Sequence, residues 1–174
     1  MQRSGGASHS GRTVACVVTG ERSCTSPAEP TQRPLLAWGE LPAEEHLGTK
    51  YLDTLLAALR PVTGTAQLVH GDLIGNVLFH TDLPPLVIDL SPYWRPPAFA
   101  AAVVSADALV FEGARFDVVQ PLLADPDFPQ HLLRALIFRA VTDHLARPHL
   151  RRPDADDPYR PALALAVSLA QASR

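Results

Sequence analysis

Apolar residues gather in separated stretches along the chain, and the spacing within each predicts its conformation. Over residues 42–60, Leu47, Tyr51, Leu52, Leu55, Leu56 and Leu59 recur at helical intervals, with Glu44 and Glu45 in the first turn, where they suit the helix dipole. Pro61 and Gly64 end this helix. Three short apolar runs follow, Gln67-Leu68-Val69-His70, Val77-Leu78-Phe79 and Leu86-Val87-Ile88-Asp89, each bounded by turn residues and read as small strands. Past Pro96-Pro97 the pattern is helical again. Residues 99–111 are apolar apart from Ser105 and Asp107, which predicts a helix buried on most sides at the centre of the core. Residues 130–146 place Leu132, Leu133, Leu136, Ile137, Ala140, Val141 and Leu145 on one face and Arg134, Arg139 and Asp143 on the other. A polar loop over 151–158 leads to a closing Ala- and Leu-rich helix over 159–170. One helix, a few tiny strands and then several helices describe a mainly helical α+β lobe, not a doubly wound sheet.

Composition sharpens the outline. With 174 residues, 47% of them hydrophobic, the chain has the material for one domain. Residues 1–34 are rich in Ser, Gly, Thr, Arg and Pro, relieved only by Val14-Ala15-Cys16-Val17-Val18, and are expected to be flexible, which leaves 35–174 as the folded lobe. A net charge of -3 without a basic cluster argues against a nucleic-acid partner. No apolar run approaches the roughly 20 residues of a membrane span, and the first residues lack a secretory apolar core, so the expectation is a cytoplasmic protein with no membrane partner. Cys16 and Cys24 have no companion at metal-ligand spacing and read as bystanders. His80, His131, His144 and His149 are scattered and read as surface or loop residues. Asp154, Asp156 and Asp157 lie between Pro153 and Pro158, as in a solvated turn.

The candidate chemistry lies in the middle. Leu68-Val69-His70-Gly71-Asp72-Leu73-Ile74-Gly75-Asn76-Val77-Leu78-Phe79 sets an Asp and an Asn on a loop between apolar strands, and Val87-Ile88-Asp89-Leu90-Ser91 brings a second Asp to the end of another. Phosphoryl transfer to a hydroxyl needs a carboxylate to orient the acceptor and receive its proton, plus oxygen ligands for Mg²⁺. Asp72, Asn76 and Asp89 fit those roles. Asp and Asn also bond neighbouring backbone readily, so the plain alternative for this set is loop stabilisation. Trp94 and Arg95, just beyond, suit either packing or contact with a substrate or phosphate.

His70-Gly71-Asp72 through Asn76, followed by Val87-Ile88-Asp89-Leu90-Ser91, resembles the catalytic and metal loops of the aminoglycoside phosphotransferase family, which shares the protein-kinase-like fold. Ser91-Pro92-Tyr93-Trp94-Arg95-Pro96 is similar to a run in actinobacterial members of that superfamily, and the likeness extends over about residues 38–146. The resemblance implies Asp72 as catalytic base, Asn76 and Asp89 as magnesium ligands, and His70 as a structural support that braces the loop. It implies ATP and Mg²⁺ as cofactors, a small-molecule hydroxyl acceptor as partner, and transfer of the ATP γ-phosphoryl group as the activity. Asn76 follows Asp72 by four positions where the kinase pattern has five. The family's N-terminal lobe, with a phosphate-covering loop and a strand Lys paired to a helix Glu, has no counterpart before Trp38. Lys50, the lone lysine, falls in the helix before the loop, and Gly5-Gly6 and Gly11 follow no strand. The expectation is therefore a C-terminal lobe with the N-terminal lobe missing, from a truncated or mis-started reading frame. Two other classes stay open: a non-catalytic remnant or interaction module that self-associates through the apolar face left by the missing lobe, and a metal-dependent hydrolase using His70, Asp72 and Asp89.

Overall fold

The computed structural model describes residues 36–40, 51–146 and 157–173, all within one unit, Thr31–Arg174. The expected flexible segment 1–34, Cys16, Cys24, most of the first half of the helix expected over 42–60, Lys50, His149, Asp154 and Asp156 lie outside the described residues. Among those described, four helices and two small antiparallel sheets make an α+β fold in which helices predominate. No helix among them is long and apolar enough to cross a membrane.

The helices are α1 (Leu52–Ala58), α2 (Pro97–Val110), α3 (Phe128–Ala146) and α4 (Tyr159–Ala172). Helix α2 begins at Pro97, whose ring presets φ for a first turn and whose missing N–H is no loss there. It buries Phe99, Ala102, Val103, Ala106 and Val110 on one side. The helix at the centre of the core is α3, not α2: every residue from 128 to 139 is buried, and α1, α2 and α4 all pack on it. Phe99 and Phe138 meet edge to face at 6.1 Å, and the Trp38 ring packs edge-on against Phe99 at 5.7 Å.

The expected polar face of α3 is thus corrected. Arg134 and Arg139 are buried, because partners on other elements take their charged ends. Arg134 donates to the backbone oxygens of Gln130 (3.0 Å) and Arg60 (2.7 Å) and lies 5.0 Å over the Trp38 ring. Gln130 receives the Arg60 N–H at 2.6 Å and donates to Ala58 O, so the start of α3 catches the chain as it leaves α1. Asp127 continues the seam, accepting from the Thr63 N–H (2.7 Å) and hydroxyl (2.5 Å), which hold its carboxyl below the usual range. His131, expected at the surface, is 1% exposed on α3 against the Trp38 ring. Burial, then the nearby Arg134 charge, push its pKa down.

The strands are β1 (Gln67–His70), β2 (Val77–His80), β3 (Leu83–Val87) and β4 (Pro92–Arg95). Strands β1 and β4 pair antiparallel with Gln67 opposite Arg95 and His70 opposite Pro92. Strands β2 and β3 form a hairpin turning at Thr81-Asp82, with an irregularity between Leu78 and His80. In two-stranded sheets every strand is an edge, which is why β3 tolerates Pro84 and Pro85 and β4 starts on Pro92. Strand β3 begins earlier than its apolar run suggests and stops before Ile88 and Asp89. The sequence pattern does not mark β4 at all.

Candidate functional site

Two loops converge where β1 and β3 end. The Gly71 N–H donates to Ser91 O at 2.9 Å and the Ile88 N–H donates to Asn76 O at 2.9 Å, so the loop after β1 and the loop after β3 are stitched together through backbone. His70 sits between them. Its Nδ1 accepts the Asp72 N–H at 3.0 Å, which places the proton of a neutral ring on Nε2. In that tautomer Nε2 donates to Asp89 O at 3.2 Å, while the Ser91 N–H, 3.3 Å away, has no lone pair to meet there. Both ring nitrogens are thereby occupied by backbone.

Two glycines set the shape of the first loop. A Cβ on Gly71 would overlap the Tyr93 ring, itself packed edge-on against Phe138 at 5.6 Å, so the close approach of β1 to β4 requires glycine there. Gly75 has φ +80, a conformation side chains rarely adopt, and it turns the chain so that Asn76 faces back across the loop. The Asn76 Nδ2 donates to Asp72 O at 2.8 Å. Only the amide nitrogen can donate to a carbonyl, so the contact also sets the amide's orientation and makes Oδ1 its outward-acting oxygen. Asp89, with φ 48, is the one non-glycine residue of positive φ among those described. Such an outlier persists where its surroundings hold it, and here the turn that follows β3 carries an exposed carboxylate.

Asp72 meets the helical core at one carboxylate oxygen. Arg139 Nη2 donates to Asp72 Oδ1 at 2.8 Å and, with its second hydrogen, to Asp107 Oδ2. Side-chain exposure grades from 45% for Asp72 through 10% for Arg139 to 8% for Asp107. Burial pushes the Asp107 carboxyl up, opposed by the Arg139 hydrogen bond and charge. Burial works against the Arg139 charge, but the contacts with Asp107 and then Asp72 outweigh it and raise its pKa, so the guanidinium is the fixed charge of the trio. Sequence spacing did not single out Arg139 or Asp107. The available signal was Asp107 itself, an ionisable residue in an otherwise apolar helix, which calls for a buried cation from another element.

No family model, curated protein or solved structure matches this chain. The residues alone therefore define the site.

Asp72, Asn76, Asp89 and His70 are brought to one place; Arg95 is not among them. It stands opposite Gln67 at the other end of the β1–β4 ladder, three residues or about 10 Å from His70. Its guanidinium pairs with Glu40 at 3.1 Å and lies 4.9 Å over the Trp38 ring. Among the described residues no three His, Cys, Asp or Glu side chains gather as a metal-binding group. The oxygen donors that the two loops offer are the Asn76 amide, the half-buried carboxylate of Asp72 and the exposed carboxylate of Asp89.

Proposed function

We propose that this chain is the helical lobe of a kinase-like small-molecule phosphotransferase, with its site on the loops after β1 and β3. The observation that carries the reading is the joining of Asp72, Asn76 and Asp89 by the His70 ring, the Asn76 amide and two backbone hydrogen bonds. In this reading Asp72 orients an acceptor hydroxyl and takes its proton. The acceptor oxygen forms a bond to the γ-phosphorus of ATP as the bond from that phosphorus to the departing ADP oxygen breaks. Asn76 through Oδ1 and Asp89 through its carboxylate would hold Mg²⁺, which when bound offsets the phosphate charge. His70 orients both loops and, with both nitrogens engaged, is a poor candidate for a metal ligand, which weighs against the hydrolase alternative.

The test is calorimetric titration of the whole chain with ATP, with and without Mg²⁺, beside an Asp89→Asn variant. Asn keeps the shape and tolerates the positive φ that Ala would strain. Binding that requires Mg²⁺ and fails in the variant is the expected result; no binding by the unaltered chain removes the reading.

A second reading, an interaction module, is favoured by the surface around the β2–β3 hairpin. Leu78, Phe79, Leu83, Leu86 and Leu90 are all exposed there, Phe79 to 80%. Contiguous exposed apolar residues mark contact surfaces. Self-association through this hairpin predicts a sedimentation coefficient that rises with concentration and a Phe79→Ser variant in which the rise is lost.

A further inference from the structure

Asp107 and Arg139 form a buried pair that touches the exposed loop at one atom, and no other described contact of the loop uses a charged core side chain. Arg139 Nη2 carries two hydrogens. One is directed to Asp107 Oδ2 inside the core and the other to Asp72 Oδ1 at its edge. Asp107 lies on α2 and Arg139 on α3, the two helices with the most extensive mutual packing, so the guanidinium is fixed from two sides before it meets the loop. Hydrogen bonds between ionised partners are about twice as strong as neutral ones. Removing either member of a buried pair leaves an uncompensated charge, which makes the position of the pair costly to change.

We propose that Arg139 is the positioning residue of the Asp72 loop, with Asp107 as its anchor. The proposal rests on the phosphotransferase reading for its catalytic meaning. With Oδ1 held by Arg139, Oδ2 of the half-exposed Asp72 carboxylate is the oxygen presented to an incoming hydroxyl. The shared guanidinium fixes the rotamer of the base while Asp107 takes part of its hydrogen-bonding capacity. The loop's other ties, from His70 and Asn76, act on backbone; Arg139 acts on the carboxylate itself.

Amide hydrogen exchange of the full chain by NMR tests this without requiring turnover, because four amides report on the stitched loops: Gly71, Asp72, Asn76 and Ile88 each donate a hydrogen bond there. In Arg139→Lys the ammonium, a point charge without the planar fork, satisfies the more buried Asp107 and releases Asp72. The four amides then exchange about ten- to a hundred-fold faster, the range one charged hydrogen bond supports, while amides of α2 and α3 keep their protection. Asp72→Ala, which removes the acceptor and leaves the Arg139–Asp107 pair intact, gives the same local acceleration and serves if the lysine variant does not fold. Unchanged loop exchange in these variants, or acceleration spread through α2 and α3, overturns the proposal, since a merely structural arginine loosens the core as a whole. Calorimetry with Mg²⁺ and ATP on the same samples separates the two ideas. Absence of nucleotide binding by the unaltered chain sinks the phosphotransferase reading, whereas the exchange rates decide the role of Arg139 by themselves.

Discussion

The interior around α3 and the β2–β3 hairpin use the same kinds of residue to opposite ends. Around α3, Leu, Ile and Phe side chains are buried and even the arginines are enclosed by partners, whereas the hairpin exposes Leu78, Phe79, Leu83 and Leu86. An isolated two-stranded hairpin is marginal in water. This one is tied at its base by the Gly71–Ser91 backbone bond, which continues the β1–β4 ladder, while the Ile88–Asn76 bond adds a rung to the hairpin itself. Stability and candidate chemistry are therefore held in different parts of the molecule and meet at Asp72, where the loop touches Arg139.

Truncating one phenylalanine in each region breaks the comparison most sharply. Phe99→Ala, at a position with no exposed surface between Trp38 and Phe138, is expected to cost about 3–5 kcal/mol in urea unfolding. Phe79→Ala on the hairpin stays within about 0.5 kcal/mol. Comparable losses at both sites would mean that the hairpin is covered in solution. Gly71→Ala comes next: Tyr93 has Phe138 behind it and cannot yield easily, so overpacking costs about 1–3 kcal/mol and speeds exchange at the Gly71 amide first. A smaller effect follows from His131. Its folded pKa lies below the 6.5 of an ordinary imidazole, so the unfolded chain binds the proton more readily. The stabilisation is complete above about pH 6.5 and is lost as pH falls from there toward the folded pKa. Melting temperature should decline across that window, and His131→Gln should flatten the decline; an unchanged slope would place the titration elsewhere.

Much of the fold was legible because it is written in local periodicity. The limits of β1 agree with its apolar run, and the three longer helices lie within two or three residues of the expected spans. What escaped depends on residues far apart in the chain. Strand β4 is hidden by Pro92 and a Trp-Arg pair that read as motif, and it becomes a strand only because β1 lies alongside. Arg134 and Arg139 fall on what periodicity labels the polar face, yet their partners Arg60, Asp72 and Asp107 come from other elements. The candidate loop residues stood out by type and spacing, while the arginine touching Asp72, 67 positions away, had no local signature.

The β1–β4 ladder closes the chain on itself around residues 71–91, since His70 and Pro92 are paired neighbours. A cut in the exposed turn at Thr81-Asp82 would therefore not part the molecule: each half keeps one strand of the clasp, the first with α1 and β2 and the second with β3 and helices α2, α3 and α4. The site-bearing segment is topologically an insert, and the core has its two ends already joined beneath it.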